Sequence, residues 1–380
     1  MIGIVVVCYN RTDGMRRILS SLSKACHNGD EVALVISIDK GQIQDELIGI
    51  ANDFIWEHGQ KVVRAFDERQ GLRKHIIACG DLTSEYESVV VLEDDLIVAE
   101  GFYDYVKQAM DFYGDSDAIS GVSLYKHMTN PGSGRPFEPQ KNGYDTFLFQ
   151  FAQSWGQSWN KRMWESFKKW YLEHEGNLES DGIIPEYVAR WNDKSWLKYY
   201  IKYTAEMGKY FVYPYTSLST NNSDIGEHCI YPNNDFQVSM LEGTLTYKFP
   251  SVDEAIKYDA FFERIFENGV LDNVGGKAII DLYGLKHSFN DADFLFSTQR
   301  LNYRIVKQIA LKYRPQEINC VYPTEGKGIF LYDLHKSCRN KYRNQYAVVR
   351  YDVKAIRWKK TLIHAIQGIR MSILSRIKRS

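Results

Sequence analysis

Four apolar, β-branched runs alternate with stretches of helical periodicity in the first hundred residues. Ile2–Cys8 is the first run. A helical pattern follows over Asp13–Ala25, with Met15, Ile18, Leu19 and Leu22 on one face. Val32–Ile38 is the second run and ends at Asp39; a helix over Gln44–Glu57 follows. Lys61–Phe66 and Ser88–Leu92 are the third and fourth runs, separated by a helix over Leu72–Leu82. Continuous apolar strands separated by helices predict a parallel sheet covered on both faces, and right-handed crossovers make it a doubly wound, Rossmann-like α/β domain. The pattern loosens after residue 120. A Pro/Gly/Ser-containing loop spans Asn130–Asn142, and six Trp residues crowd the stretch from Trp155 to Trp196. Asn233–Arg314 reads mainly as helix, which gives three expected regions: a catalytic-type α/β domain at 1–232, a helical accessory region at 233–338 and a basic tail at 339–380.

Composition narrows the class. Of 380 residues, 44% are hydrophobic and 25% charged, an ordinary globular balance that excludes a disordered or collagen-like chain. Lys plus Arg number 47 and Asp plus Glu 48, so a generally basic nucleic-acid binder is disfavoured. The balance hides an asymmetry. Arg339–Ser380 carries 12 Lys or Arg against one acid, Asp352, which leaves 35 basic and 47 acidic residues in the body. The six Cys residues have no CxxC spacing and no zinc signature, and are read as reduced thiols. The opening apolar run is too short for a signal-peptide core or a membrane span, so the expected location is cytoplasmic.

The chemistry concentrates at the carboxyl ends of the predicted strands, where ligands sit in such sheets. Tyr9-Asn10-Arg11 follows the first strand, Asp39 ends the second, and Glu93-Asp94-Asp95 follows the fourth. No GxGxxG or P-loop is present, which disfavours dinucleotide and P-loop sites. Three consecutive acids repel one another unless they reach solvent or a cation neutralises them. Mg²⁺ and Mn²⁺ take oxygen ligands and keep waters and phosphates in their shell, so the triplet is read as a metal site or as a solvated acidic turn.

The segment Val89-Val90-Val91-Leu92-Glu93-Asp94-Asp95-Leu96-Ile97-Val98-Ala99, with Phe102 and Tyr105 beyond it, resembles the metal-site segment of GT-A glycosyltransferases, in particular N-acetylglucosaminyltransferase I and bacterial family 2-like enzymes. The resemblance covers about residues 1 to 230. It implies a metal-dependent, inverting transfer from a nucleotide-sugar donor, chiefly a UDP-sugar, to a glycan or lipid-linked glycan, with Mn²⁺ or Mg²⁺ as cofactor. It places Asp95 as the metal ligand and Asp94 on the ribose or on a metal-bound water. Arg11, Asp39 and Arg73 fall on the donor side. Asp39 also reads as a turn or cap residue. Trp191-Asn192-Asp193-Lys194-Ser195-Trp196 matches the segment that supplies the general base, so Asp193 is assigned that role or that of a cap for the helix beginning near Ser195; Asp181 and Glu186 compete for the base. Trp155 and Gly156 resemble an acceptor-side segment. His228, in a loop similar to one that closes on the diphosphate, is a second candidate metal ligand or an ordinary surface histidine.

In the tail, Val353, Ile356, Ile363, Ile366, Ile369, Ile373 and Ile377 recur at helical spacing among Lys354, Lys359, Lys360, Arg376 and Lys378. That pattern predicts either an interfacial helix on the anionic inner face of the plasma membrane or a helix folded back on the acidic body. Two readings from other classes are a nucleotidyltransferase, which lacks its usual Gly-rich basic loop after strand one, and a non-catalytic carbohydrate-binding protein, which needs no acid triplet.

Overall fold

The computed structural model describes residues 1–176, 178, 181–222, 236–266, 271, 274–289, 292–341, 345–353 and 362–370. The elements run β1 (Ile2–Cys8), α1 (Thr12–Ser23), β2 (Ala33–Ile38), α2 (Gln44–Asp53), β3 (Lys61–Ala65), α3 (Gly71–Gly80), β4 (Ser88–Glu93), β5 (Leu96–Val98), α4 (Phe102–Tyr113), β6 (Ile119–Ser123), β7 (Thr129–Asn130) and β8 (Arg135–Pro136). They continue with β9 (Thr146–Phe149), β10 (Gln157–Asn160), α5 (Lys161–His174), α6 (Glu186–Ala189), α7 (Leu197–Glu206), β11 (Tyr210–Pro214), β12 (Ser219–Asn221), β13 (Lys257–Tyr258) and β14 (Arg264–Ile265). The last are β15 (Ala278–Asp281), β16 (Phe294–Ser297), β17 (Tyr303–Ala310), α8 (Ile318–Val321), β18 (Gly328–Ser337) and α9 (Gln345–Asp352). The chain divides into two compact units: residues 1–132, 137–265 and 285–287, and residues 133–136, 266–284 and 288–380.

The first unit is built on a ten-stranded sheet in the order β14-β13-β9-β11-β6-β10-β4-β1-β2-β3. The β4-β1-β2-β3 half is parallel throughout. All seven residues of β1 are buried, as a strand covered on both faces requires. Helix α1 covers it with Met15, Ile18, Leu19 and Leu22, the face expected from the spacing. Beyond β4 the sheet becomes mixed, because β10 enters antiparallel to both β4 and β6. Trp159, Trp164 and Trp196 are fully buried around Tyr200, so these indoles fill the core. Asn160 caps α5 by accepting from Met163 N at 3.0 Å. The architecture is the doubly wound α/β arrangement that the GT-A resemblance implies.

The second unit carries a four-stranded sheet, β15-β16-β18-β17. One face buries Leu271, Ile280, Leu282, Phe296, Ile309, Cys320, Ile329 and Leu331; the other buries Leu295, Phe330 and Tyr332. The mainly helical reading of 233–338 is therefore corrected. Among the described residues that stretch holds six strands and one four-residue helix. The cause is visible in β17. Its pairing with β18 shifts register at Tyr303/Arg304 and at Ile305/Lys307, which breaks strict alternation and leaves Ile305 and Ile309 at helical spacing. Helix α9 is held to this unit: Tyr351 Oη donates to Tyr313 O at 2.6 Å, and Arg135 Nε lies 2.8 Å from Asp352 Oδ2.

Candidate active site

The carboxyl ends of β1, β2 and β4 are tied together by backbone bonds before any side chain is considered. Asp94 N donates to Val7 O at 3.1 Å, and Asp39 N to Cys8 O at 3.0 Å. This register sets the acid triplet beside Tyr9-Asn10-Arg11. Tyr9 N donates to Asp94 Oδ2 at 2.9 Å. Arg11 stands at the N-cap position of α1 without capping it. Its guanidinium bridges the acids instead: Nη2 lies 2.6 Å from Asp94 Oδ1 and Nη1 donates to Asp95 Oδ2 at 3.1 Å. Asp94 is almost fully buried, Asp95 is 15% exposed and Arg11 26%.

The electrostatics are those of a site short of positive charge. Burial, then the neighbouring Asp95, pushes Glu93 up to about 8. Burial likewise pushes Asp94 up to about 8 against the pull of Arg11. Asp95 Oδ1 is buried and accepts no hydrogen bond among the described residues. An orphaned carboxylate oxygen beside two proton-retaining acids fits a hard divalent cation, which takes oxygen ligands and supplies the missing charge. Among the described residues no group of three or more His, Cys, Asp or Glu is arranged as a metal cage. A single protein carboxylate with phosphate oxygens and waters is the arrangement this site suits. His228 lies outside the described residues.

Asp39 is placed by α3. Its carboxylate accepts from Lys40 N at 2.8 Å, Gln70 N at 2.7 Å and Gly71 N at 2.9 Å, so it caps the entry to that helix. Gly71 has φ +70°, a left-handed backbone conformation that favours glycine at this helix entry. Arg73, two residues on, donates from Nη1 to Tyr199 Oη at 3.1 Å and lies over the Tyr199 ring. That contact joins α3 to α7.

Helix α7 also organises two of the three base candidates. Lys198 and Lys202, one turn apart and nearly buried, pair with Asp193 at 3.2 Å and with Asp181 respectively. Asp193 is 97% exposed, whereas Asp181 is 40% exposed and held below its usual range by Lys202 despite partial burial. Glu186 pairs with Arg190 and lies 3.5 Å from His287. The structure thus gives each candidate its own cation and does not gather them at one point.

Trp155 and Gly156 are linked to the triplet through a short two-stranded antiparallel sheet. Strand β5, directly after Asp95, pairs antiparallel with β12, and Asn222 N donates to Asp95 O at 2.8 Å. Ser219 Oγ of β12 donates to Trp155 O at 2.6 Å. Gly156 has φ +94°, and a Cβ there would sit 3.0 Å from Leu124 and 3.2 Å from Ser219 Oγ. The Trp155 ring packs on Tyr125 and Phe236 and is partly exposed.

Three residues were given no individual role by sequence reasoning. Tyr9 supplies the backbone donor to Asp94, and its ring carries Arg69 at 4.2 Å. Gly14, at the third position of α1, faces the Asp94 carbonyl so closely that a Cβ would lie 2.5 Å from it. Tyr199 anchors Arg73. Only Gly14 left a signal, a glycine early in an otherwise strong helix.

No family model matches the sequence, and no curated protein matches it. Solved structures show partial likeness. TarS of S. aureus (residues 1–349) in complex with UDP-GlcNAc is 13% identical over 60% of this chain and 60% of that one, with a TM-score of 0.37. The mannosyltransferase PcManGT of Pyrobaculum calidifontis with GDP-Man and Mn²⁺ is 13% identical over 56% and 54%, TM-score 0.34. GalNAc-T7 with UDP, GalNAc and Mn²⁺ is 13% identical over 56% and 41%, TM-score 0.35. The chain spans less than two thirds of each. The functional reading rests on the residues of this chain.

Proposed function

We propose that this chain is a divalent-metal-dependent, inverting glycosyltransferase. It takes a sugar from a nucleotide-sugar donor, a UDP-sugar, and delivers it to a hydroxyl of a glycan or lipid-linked glycan in surface-polysaccharide synthesis. The observation that carries the reading is the Asp94–Asp95 pair beyond the end of β4, bridged by the partly exposed Arg11 that follows the adjacent parallel strand β1, with the buried Asp95 Oδ1 left without a donor among the described residues.

Asp95 is the residue that would hold Mn²⁺ or Mg²⁺, with His228 a second candidate ligand. Such an ion supplies Lewis-acid neutralisation of the leaving diphosphate. Asp94 braces the site by taking Tyr9 N and Arg11. Arg11 has donors to offer a diphosphate once it leaves Asp95. Asp39 fixes the entry of α3 and with it Arg73, on the donor side. Trp155 offers a partly exposed ring and Gly156 a bare backbone to the acceptor. Asp193 is exposed enough to reach an acceptor hydroxyl and remove its proton. The basic tail brings the enzyme to the anionic inner face of the membrane, where lipid-linked acceptors lie.

A panel of nucleotide sugars, each incubated with Mn²⁺ or with EDTA, tests the reading. One donor should release its nucleoside diphosphate only with metal, and the sugar product formed with acceptor should have inverted anomeric configuration. Release of pyrophosphate from a nucleoside triphosphate and sugar phosphate would assign a nucleotidyltransferase instead, and metal-independent sugar binding without turnover a carbohydrate-binding protein.

A further inference from the structure

The second unit holds a groove that the proposed transfer does not use. Arg300, Asn302, Ser337, Cys338 and Arg339 line an open cavity of about 620 Å³ at the junction of β16, β17 and the end of β18. Neither guanidinium has an ion-pair or hydrogen-bond partner among the described residues, although the protein has 48 acids with which to pair. Exposed arginines alone would say little. Here the backbone that carries them is clamped. Tyr332 Oη accepts from Leu301 N at 3.1 Å and donates to Gln299 O at 2.9 Å, which fixes the residues on both sides of Arg300. Asn340 Nδ2 donates to Leu301 O at 2.8 Å and Tyr303 O at 2.6 Å, while Cys338 N donates to Asn302 O at 3.0 Å. The residues flanking Arg339 are thus tied to the strand that follows Arg300. The two cations face one cavity from a preorganised frame.

We propose that this groove is a binding site for a phosphate group of a soluble ligand. Its polar side chains are rich in donors: two forked guanidiniums, an Asn amide and a Ser hydroxyl. Arginine forks match the oxygens of phosphate bidentately. Donors that converge from two sides suit a tetrahedral oxyanion with three free oxygens better than a planar carboxylate with two. A membrane headgroup is disfavoured because surface attachment needs apolar anchors, and the groove is lined by none. The openness of the cavity admits a segment of a longer phosphate-bearing chain. The groove is built from residues of the second unit and the acid triplet from residues of the first, and the proposal stands whether or not the proposed transfer is correct.

Cys338 is a reporter built into the groove. It is exposed, Cys26 is half-buried, and Cys8, Cys79 and Cys320 are buried. The full-length protein is alkylated with iodoacetamide in EDTA, so that no metal at the acid triplet recruits the probe, and modification is read by peptide mass spectrometry. Inorganic tripolyphosphate should slow Cys338 alkylation at least about threefold, saturably, with Cys26 unchanged and the effect shrinking as salt rises. The doubly substituted Arg300→Gln/Arg339→Gln protein should lose the protection while keeping metal-dependent donor hydrolysis; both side chains are exposed, and each single substitution should lose part of it. Absence of protection, equal protection in the substituted protein, or equal protection by citrate would each overturn the proposal. Stronger protection by phosphatidylglycerol vesicles than by tripolyphosphate would overturn the choice of a soluble ligand.

Discussion

Asp95 Oδ1 is a buried oxygen that accepts no hydrogen bond among the described residues, in a site where burial pushes Glu93 and Asp94 up to about 8. A divalent ion that binds only the folded chain stabilises it by RT ln(1 + [L]/Kd), about 2.7 kcal/mol at a hundredfold excess over Kd. Mn²⁺ should therefore raise the melting temperature of the wild type, and Asp95→Ala should melt at least as high in EDTA but show no metal response. The same variant should lose about a hundredfold or more in donor turnover, as removal of several kcal/mol of charge stabilisation requires. A normal metal shift in Asp95→Ala would move the ligand role elsewhere. Gly14 gives an independent handle on the same loop. Alanine favours a helix by about 1 kcal/mol over glycine, so a free helix would gain from Gly14→Ala. Here the new Cβ meets the Asp94 carbonyl at 2.5 Å, and forced displacement of a packed backbone costs about 1–3 kcal/mol. The variant should melt lower and bind Mn²⁺ more weakly. A higher melting temperature with an unchanged metal response would show that the α1–triplet contact is soft.

At the scale of elements, α7 decides what the base candidates can do. Among the described residues Asp193 pairs with Lys198 and is 97% exposed; Asp181 lies against nearly buried Lys202. Asp193→Asn should keep the melting temperature and metal-dependent donor binding while transfer to acceptor falls by about a hundredfold or more, the usual worth of a general base. Asp181→Asn should instead lower stability, because among the described residues nearly buried Lys202 then keeps Glu206 alone as an ion-pair partner, 3.8 Å away. If Asp181→Asn or Glu186→Gln shows selective loss of transfer, the role belongs there. These elements also show what a sequence can disclose. The β/α half was legible because β1, β2 and β4 are buried on both faces and leave unbroken apolar runs. Arg11, Asp94 and Asp95 stood out as candidates because they lie in the short polar stretches, Tyr9-Asn10-Arg11 and Glu93-Asp94-Asp95, that follow such runs. The second sheet was not, since bulges scramble the period of β17, and in the first sheet the two-residue strands β13 and β14 carry no period at all. Nor was the Arg73–Tyr199 contact, between residues 126 positions apart, because no local pattern encodes a pairing made only in the fold.

The whole molecule separates charge: about −12 on the body against +11 from Arg339 onward. The basic stretch divides in two. Residues 345–352 form α9, whose Val348 and Tyr351 are buried and whose Tyr351 and Asp352 are bonded within the second unit, so this part is folded on the protein. Residues 362–370 are helical, and Leu362, Ile363, Ile366 and Ile369 are each more than half exposed. No helix among the described residues is long and apolar enough to cross a membrane. An apolar stripe of this kind within a basic tail suits shallow insertion at an anionic surface, where each Lys or Arg contributes on the order of 1 kcal/mol. The informative deletion is thus residues 354–380, which spares the contacts of Tyr351 and Asp352. It should abolish co-sedimentation with phosphatidylglycerol liposomes and leave both the melting temperature and metal-dependent donor hydrolysis unchanged. Binding by the full chain should weaken between low salt and about 1 M, where the Debye length falls to about 3 Å. A tail that instead packs on the acidic body predicts the opposite pair of results: no liposome binding by the full chain, and a lower melting temperature once the tail is removed.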